Sequence, residues 1–299
     1  MIEEWKDGAK RLEKGGPIII IGMHRSGTTM LAQMLRKCGL FIGADLESNQ
    51  ESKFFININE WILNHAGGSW LNPQPIENML KCDPVKKYVS GYVGNKLASL
   101  ASCRYWGRPR LKAEFSSSQQ KWGWKDPRNT FTACYWANQF PGAKIIHIYR
   151  NGIDAADSLR RRELRRIEVA TSRHEKKLKS KIISLRARAL GITTSHLSVD
   201  IEGAFNLWEK YISHAFFVTE NIECSSMTIR YEDLLRQPAV KLACIAEFCE
   251  LEVSQKLIGS AIESIDVSRG YSYKKNKALI PFYQKNRENE WLRKLEYVD

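Results

Sequence analysis

Four consecutive isoleucines, Ile18 to Ile21, run into Gly22-Met-His-Arg-Ser-Gly-Thr-Thr29 and on into Met30-Leu-Ala-Gln-Met-Leu-Arg-Lys37. A continuous β-branched run closed by glycine reads as a buried strand, and Leu31, Met34 and Leu35 recur at helical spacing. The stretch is therefore a strand, a tight loop and a helix. A loop of this kind points backbone N–H groups at one spot beside a helix N-terminus and holds a cluster of anionic oxygens. The expected ligand is a nucleotide phosphate. A Walker A loop reads G-x-x-x-x-G-K-[ST]; Gly22 and Gly27 have that separation, but Thr28 follows where the lysine belongs. Arg25 supplies the positive charge inside the loop instead, and the missing lysine argues against ordinary use of ATP. Two glycines, an arginine, a serine and two threonines are also more polar than a purely structural turn requires.

A second apolar strand is expected near residues 144–149, with helical patterns between the two, which favours one doubly wound α/β domain over residues 1–299. The first ten residues carry adjacent glutamates and no apolar stretch suited to a signal peptide or anchor. With the first strand at residue 18, no membrane segment or stalk is expected, and the location read from this is cytoplasmic. Seven cysteines form no C-x-x-C and read as buried thiols in a reducing compartment. The formal net charge of +13 permits nucleic-acid binding without requiring it. Much of the excess lies in residues 160–166 and 173–181, in a stretch (160–188) read as a long helix or pair of helices. Two readings stay open there: a solvated basic face, or a field that draws in an anionic donor or acidic acceptor.

Asp45-Leu-Glu-Ser-Asn-Gln-Glu-Ser52 forms a polar approach to a helix whose apolar positions 54, 55, 58, 61 and 62 share one face. Its acidic residues, Asp45, Glu47 and Glu51, fall near the mouth of the phosphate loop. Gly67-Gly-Ser-Trp-Leu-Asn-Pro73 marks a turn, and the region after it to about residue 112 reads as helical and weakly patterned. In Lys121-Trp-Gly-Trp-Lys-Asp-Pro-Arg128, Trp122 and Trp124 alternate as in a strand, and Pro127 favours a new helix just beyond. Lys125, Asp126 and Arg128 are thus held at a strand-to-helix junction, either as a second cationic contact or as a surface salt-bridge cluster. Arg150 emerges at the end of the 144–149 strand and Ser158 sits on the helix that follows, a permanently charged fork beside a short hydroxyl. The helical spacing of 201–214 favours core packing over a nucleobase-stacking ladder, with Trp208 left open as an adenine contact. Tyr231-Glu-Asp-Leu234 follows a late strand, and Val267-Ser-Arg-Gly-Tyr-Ser-Tyr-Lys-Lys275 joins Arg269 and Lys274 to a mobile glycine.

Gly22–Thr29 resembles the 5′-phosphosulfate-binding loop of sulfotransferases that use 3′-phosphoadenosine 5′-phosphosulfate (PAPS), among them bacterial enzymes and the tyrosylprotein and carbohydrate branch. The likeness touches residues 17–275 discontinuously. It implies a P-loop-like three-layer α/β sandwich with a central, mainly parallel sheet. It also implies that Gly22, His24, Arg25, Ser26, Gly27, Thr28 and Thr29 hold the phosphosulfate, with Lys125 at the transferring sulfuryl group. Arg150 and Ser158 match the family's 3′-phosphate ligands, Tyr231 lines the purine site, and Arg269 and Lys274 stand in a degraded form of its Arg-Gly loop. Glu51 matches a family glutamate and is the leading general base, with His24, Glu47 and Asp45 as alternatives. The implied reaction is direct in-line transfer to a hydroxyl, less favourably an amine, of a small molecule, carbohydrate or peptide, leaving 3′-phosphoadenosine 5′-phosphate (PAP). No metal is required where Arg25, Lys125 and loop N–H groups supply the field. The rival readings are an atypical P-loop kinase and a basic nucleic-acid-binding module. The second lacks any helix-turn-helix or zinc pattern, so no nucleic-acid partner is expected. Neither the acceptor nor the oligomeric state is legible.

Overall fold

Strands β1 (Ile18–Ile21), β2 (Gly123–Lys125), β3 (Lys144–Tyr149) and β4 (Ser225–Arg230) form one parallel sheet in the order β2-β1-β3-β4. Ile19 pairs with Trp124 on one side and with Ile145 on the other. Every residue of β1 is buried, because a central parallel strand is covered on both faces, and this is why its sequence is continuously apolar rather than alternating. The computed structural model describes residues 15–107, 115, 120–179 and 198–298. The N-terminal residues read above for a leader, the 108–112 end of the weakly patterned region and the 180–188 end of the basic stretch lie outside them.

In chain order the helices are α1 (Thr28–Lys37), α2 (Lys53–His65), α3 (Pro75–Met79), α4 (Asp83–Ala98), α5 (Cys103–Trp106), α6 (Asn129–Gln139) and α7 (Gly152–Lys179). They continue with α8 (Ile201–Asn221), α9 (Tyr231–Arg236), α10 (Pro238–Phe248), α11 (Gln255–Ile262), α12 (Ile280–Lys285) and α13 (Glu290–Lys294). The chain divides into two compact units, Met1–Arg150 with Tyr211–Tyr271, and Asn151–Lys210 with Ser272–Asp299. The whole sheet belongs to the first.

Period-two alternation splits β1 between two cores within that unit. Ile18 and Ile20 pack with Leu31 and Leu35 of α1, Leu242 and Ile245 of α10, and Ala261 of α11. The other face is aromatic: Trp124 stacks on Phe55 of α2 at 3.8 Å and meets Trp136 of α6 edge-on at 5.0 Å. Helices therefore cover the parallel sheet on both sides, the three-layer arrangement expected from the sequence. The helix face 54, 55, 58 and 62 is buried as its spacing requires, whereas Trp61 is half-buried and stacks on Tyr92 of α4.

In the second unit, the carboxylate of Asp154 accepts bonds from Ser272 N (3.0 Å), Ser272 Oγ (2.8 Å) and Tyr273 N (2.7 Å). Trp208 is fully buried and stacks with Phe205, so it is core, as its spacing indicated. The described part of the basic stretch is interleaved with acid. Arg160 and Arg161 both pair with Asp157, and Arg162 and Arg166 with the fully buried Glu163. The cysteines depart from the expectation of buried thiols: Cys38 and Cys249 are buried, but Cys82 and Cys244 are exposed and the others intermediate. Cys244 lies on the outer side of α10, where the apolar composition of that helix concealed which residues face solvent. Among the described residues no helix is long and apolar enough to cross a membrane.

Candidate active site

The loop between β1 and α1 turns because Arg25 (φ 72°) and Gly27 (φ 97°) adopt left-handed backbone. Gly27 is the residue before α1, and a Cβ there would stand 2.4 Å from Cδ2 of Tyr231. Both the backbone angle and the neighbouring ring therefore demand glycine. The first-turn amides of α1 have no acceptor inside the helix, the feature that lets such a helix start hold an anion. Within the loop, Ser26 N–H donates to Met23 O at 3.2 Å, and Gly22 N–H donates to Thr130 Oγ1 at 3.1 Å. Ser26 itself is completely buried, and its Oγ has no hydrogen-bond partner among the described residues. A buried hydroxyl left so is costly unless a ligand atom meets it.

At the far end of the loop stands a buried ion pair. Lys125 Nζ donates to Glu51 Oε1 at 2.8 Å and to Thr29 Oγ1 at 3.3 Å. Thr29 Oγ1 in turn donates to Asn49 O at 3.2 Å. The side chains of Lys125 and Glu51 are 1% and 10% exposed. Glu51 reaches Lys125 because residues 45–52 double back: Leu46 bridges Ser52, Gln50 takes φ 64°, and Glu51 forms an isolated parallel bridge with Lys125. Burial pushes the Glu51 carboxyl up, and the Lys125 cation pulls it part of the way back. Burial pushes the Lys125 amine down, against the opposing pull of Glu51. Each group is thus drawn toward a neutral form while its partner resists, which suits proton exchange.

The competing acids are placed elsewhere. Asp45 is paired with Lys53 at 2.7 Å and Arg104 at 3.2 Å, and the Lys53 hydrogen bond is the main reason its carboxyl is held low. Glu47 is exposed; its N–H donates to Glu51 O at 2.8 Å. His24 is half-buried, edge-on to Trp70 at 4.6 Å and near Tyr211, whose hydroxyl donates to Trp70 O at 3.0 Å.

Arg150 leaves β3 with its guanidinium 4.9 Å from the Tyr231 ring centre. Nη1 donates to Arg25 O at 3.4 Å and Nη2 to Arg269 O at 2.6 Å, so one side chain joins the phosphate loop, Tyr231 and the 267–269 turn. The Arg269 side chain is exposed and paired with Asp266 at 3.2 Å. Ser158, on α7, and Lys274, exposed in a 3-10 turn, belong to the second unit.

Sequence reasoning underestimated the Asp126–Arg128 turn. It is no surface cluster: Asp126 is 1% exposed and accepts from Arg128 Nη1 at 3.0 Å, while Arg128 Nη2 donates to Glu60 Oε1 at 2.8 Å. Asn59 supplies a further contact that went unread, although an asparagine among Phe54, Phe55, Ile58 and Ile62 was the available signal. Among the described residues no group of three His, Cys, Asp or Glu side chains is arranged to hold a metal ion.

A parallel α/β sheet with a strand–loop–helix unit at the end of its central strand, beside a buried acid–amine pair, defines a three-layer α/β protein with a P-loop-like core. Residues 17–255 match the sulfotransferase family, and the chain belongs to that family. It is accordingly a sulfotransferase, moving a sulfuryl group from a sulfonate donor to a hydroxyl-bearing acceptor. No curated protein matches. Among solved structures the chain is similar to the sulfotransferase domain of the Synechococcus PCC 7002 olefin synthase, with 15% identity, 91% of this chain and 87% of that one covered, and TM-score 0.41. It is also similar to sulfotransferase STF9 of Mycobacterium avium (14% identity, 96% and 78% covered, TM-score 0.42) and STF1 of Mycobacterium tuberculosis (13% identity, 88% and 73% covered, TM-score 0.43).

Proposed function

We propose that the sulfonate donor is PAPS and that the chain, as one sulfotransferase domain, transfers its sulfuryl group in line to a hydroxyl of a small molecule, carbohydrate or peptide, leaving PAP. The observation that carries this reading is the buried Glu51–Lys125 pair, tied through Thr29 to the anion-binding loop. An acceptor hydroxyl must lose its proton as it attacks, and Glu51 is the group whose burial raises its proton affinity toward that task. Lys125, adjacent to the loop, offsets charge developing on the transferring and bridging oxygens, with Arg25 and the α1 amides sharing the work. Bound PAPS supplies the activated sulfuryl group; these residues supply position and field, and no metal is required. Arg150 and Ser158 are assigned to the 3′-phosphate, Tyr231 to the purine, and Arg269 and Lys274 to the donor on family resemblance. Residues 41–65 and part of the 70–120 region are assigned to the acceptor wall beside Glu51, and the working compartment is the cytoplasm.

The test is an acceptor-library screen with labelled PAPS, run with and without exhaustive chelation. Transfer to a hydroxyl that survives chelation is the expected result. An absolute magnesium requirement with productive ATP turnover would replace this reading by the kinase one.

A further inference from the structure

Asn59 lies on the buried face of α2 and has no solvent exposure, yet every polar direction of its amide is used. Nδ2 donates to Asp126 Oδ2 and to Asn129 Oδ1, both at 2.8 Å; Oδ1 accepts from Thr132 Oγ1 at 2.8 Å and from Trp136 Nε1 at 2.9 Å. Two donors and two lone-pair directions are all that an amide has. The next residue, Glu60, accepts from Arg128 Nη2 at 2.8 Å. Asp126 completes the loop by accepting from Arg128 N and Nη1, both at 3.0 Å. Two consecutive residues of α2 thus grip both ends of the charged turn that directly follows Lys125.

The same helix begins just after Glu51, and its first residue is Lys53. It is therefore anchored to the Lys125 segment at two places, the Glu51↔Lys125 bridge and the Asn59–Asp126 bond. We propose that Asn59 and Glu60 are positioning residues that hold the Asp126–Arg128 turn and so set the field in which the Glu51–Lys125 pair exchanges its proton. The charged groups bearing on Glu51 are Lys125, Asp126 and Arg128: Asp126 raises its proton affinity, and Lys125 and Arg128 lower it. The neutral Asn59 amide holds the Asp126 carboxylate in place, and the Glu60 carboxylate offsets part of the Arg128 charge. Neither Asn59 nor Glu60 touches the pair itself; they act through the turn. The inference rests on the reading of Glu51 as the proton acceptor, but it concerns the carboxyl group's titration and not sulfuryl transfer.

The test is ¹³C-carboxyl NMR of the full chain labelled at glutamate, with Glu51→Gln identifying the resonance. Asn59→Ala removes no charge, so the Glu51 midpoint falls where Asp126 is displaced and rises where Arg128 is. It is expected to fall by about half a pH unit or more, the scale of altered neighbouring charge at a partly buried site. Glu60→Gln, at a half-exposed side chain that does not endanger folding, is expected to move the midpoint the same way by leaving Arg128 less neutralised. Trp136→Phe removes a bond to the opposite end of the Asn59 amide without touching residues 126–128 and serves as the structural control, with no shift expected. An unmoved midpoint in folded Glu60→Gln, or an equal shift in Trp136→Phe, overturns the proposal. If Glu51→Gln retains full transfer from PAPS, the base assignment fails while the positioning result stands on its own titration.

Discussion

Glu51 and Lys125 meet twice, through a parallel backbone bridge and through a 2.8 Å side-chain contact, although 74 positions separate them in the chain. The backbone contact fixes the approach of the two chain segments, and the side-chain contact fixes the polarity of what they enclose. Glu51→Gln preserves size and an acceptor oxygen while removing the ability to take a proton. Turnover is expected to fall by roughly 10²–10⁴-fold, the scale of general base catalysis, with PAP affinity retained. Steady-state kinetics beside calorimetric titration separates the two effects; full turnover over a broad pH range would move the role to His24 or Glu47.

Removing the other partner gives a stability prediction whose sign depends on pH. Lys125→Met leaves the Glu51 carboxyl buried without its cation, a change of the kind that costs about 3–5 kcal/mol. The folded-state affinity of Glu51 for its proton is already raised above the ordinary value of 4.5 by burial, and loss of the cation raises it further. Its contribution is therefore favourable below that ordinary value and is lost as pH rises through the folded one. Urea unfolding of Lys125→Met should show a larger deficit against the parent at mildly alkaline pH than in weak acid.

Much of this architecture was legible in the sequence, for reasons visible in the structure. Ile18–Ile21 could be read as a doubly covered strand because burial on two faces leaves no polar position, and the Gly22–Gly27 spacing declared the loop because its turn requires left-handed backbone. Lys125 stood out in the sequence at a strand-to-helix junction, and the structure places its amine against Glu51, a contact that the segment itself does not declare. What stayed hidden were long-range polar contacts. Asn59 and Asp126 lie 67 positions apart and carry no local periodicity, so their bond exists only once α2 and α6 are packed. The orientation of Cys244 was hidden as well, because apart from Lys241 and Glu247 the helix Pro238–Phe248 is apolar on all sides and does not declare which residues face outward.

Gly27→Ala is expected to disturb the donor site through two separable effects. The φ of 97° disfavours any side chain, and the new Cβ would meet the Tyr231 ring at 2.4 Å. A loss of about 1–3 kcal/mol is expected from the backbone alone. Tyr231→Ala in the same chain should recover the steric part only. A double-mutant cycle by chemical unfolding measures the difference, and full additivity would show that the ring yields without cost.

Acid stability should depend on Glu250, at the opposite end of the strands from the loop. Its carboxylate accepts from Lys121, the contact that lowers it most, and from Lys144 at 2.6 Å, and these hold its value at about 2. Because the folded value lies below the ordinary 4.5, the stabilisation is complete above that value and disappears as pH falls toward 2. Glu250→Gln should therefore lower stability at neutral pH and flatten its decline in that acid window. Thermal unfolding across the window checks both; a parallel displacement of the two curves would exclude Glu250 as a source of the acid dependence.

Arg150 joins more of the first unit than a ligand contact alone requires, and this decides how its role must be measured. Its two terminal nitrogens already donate to Arg25 O and Arg269 O, and its face lies on Tyr231. Arg150→Ala therefore loosens the loop and the 267–269 turn whatever nucleotide is offered, so absolute affinity mixes support with recognition. The ratio of PAP to AMP affinity isolates the 3′-phosphate, because both nucleotides share the loop and the purine. In the parent protein PAP should bind much more tightly than AMP. Arg150→Ala should cut that preference by roughly 10–100-fold, the scale of charge-assisted hydrogen bonds to one phosphate. Arg150→Lys should keep part of it, since a point charge survives while the planar fork is lost. Equal affinity of the parent for PAP and AMP would remove the 3′-phosphate assignment and leave Arg150 as the residue that ties the loop to Arg269.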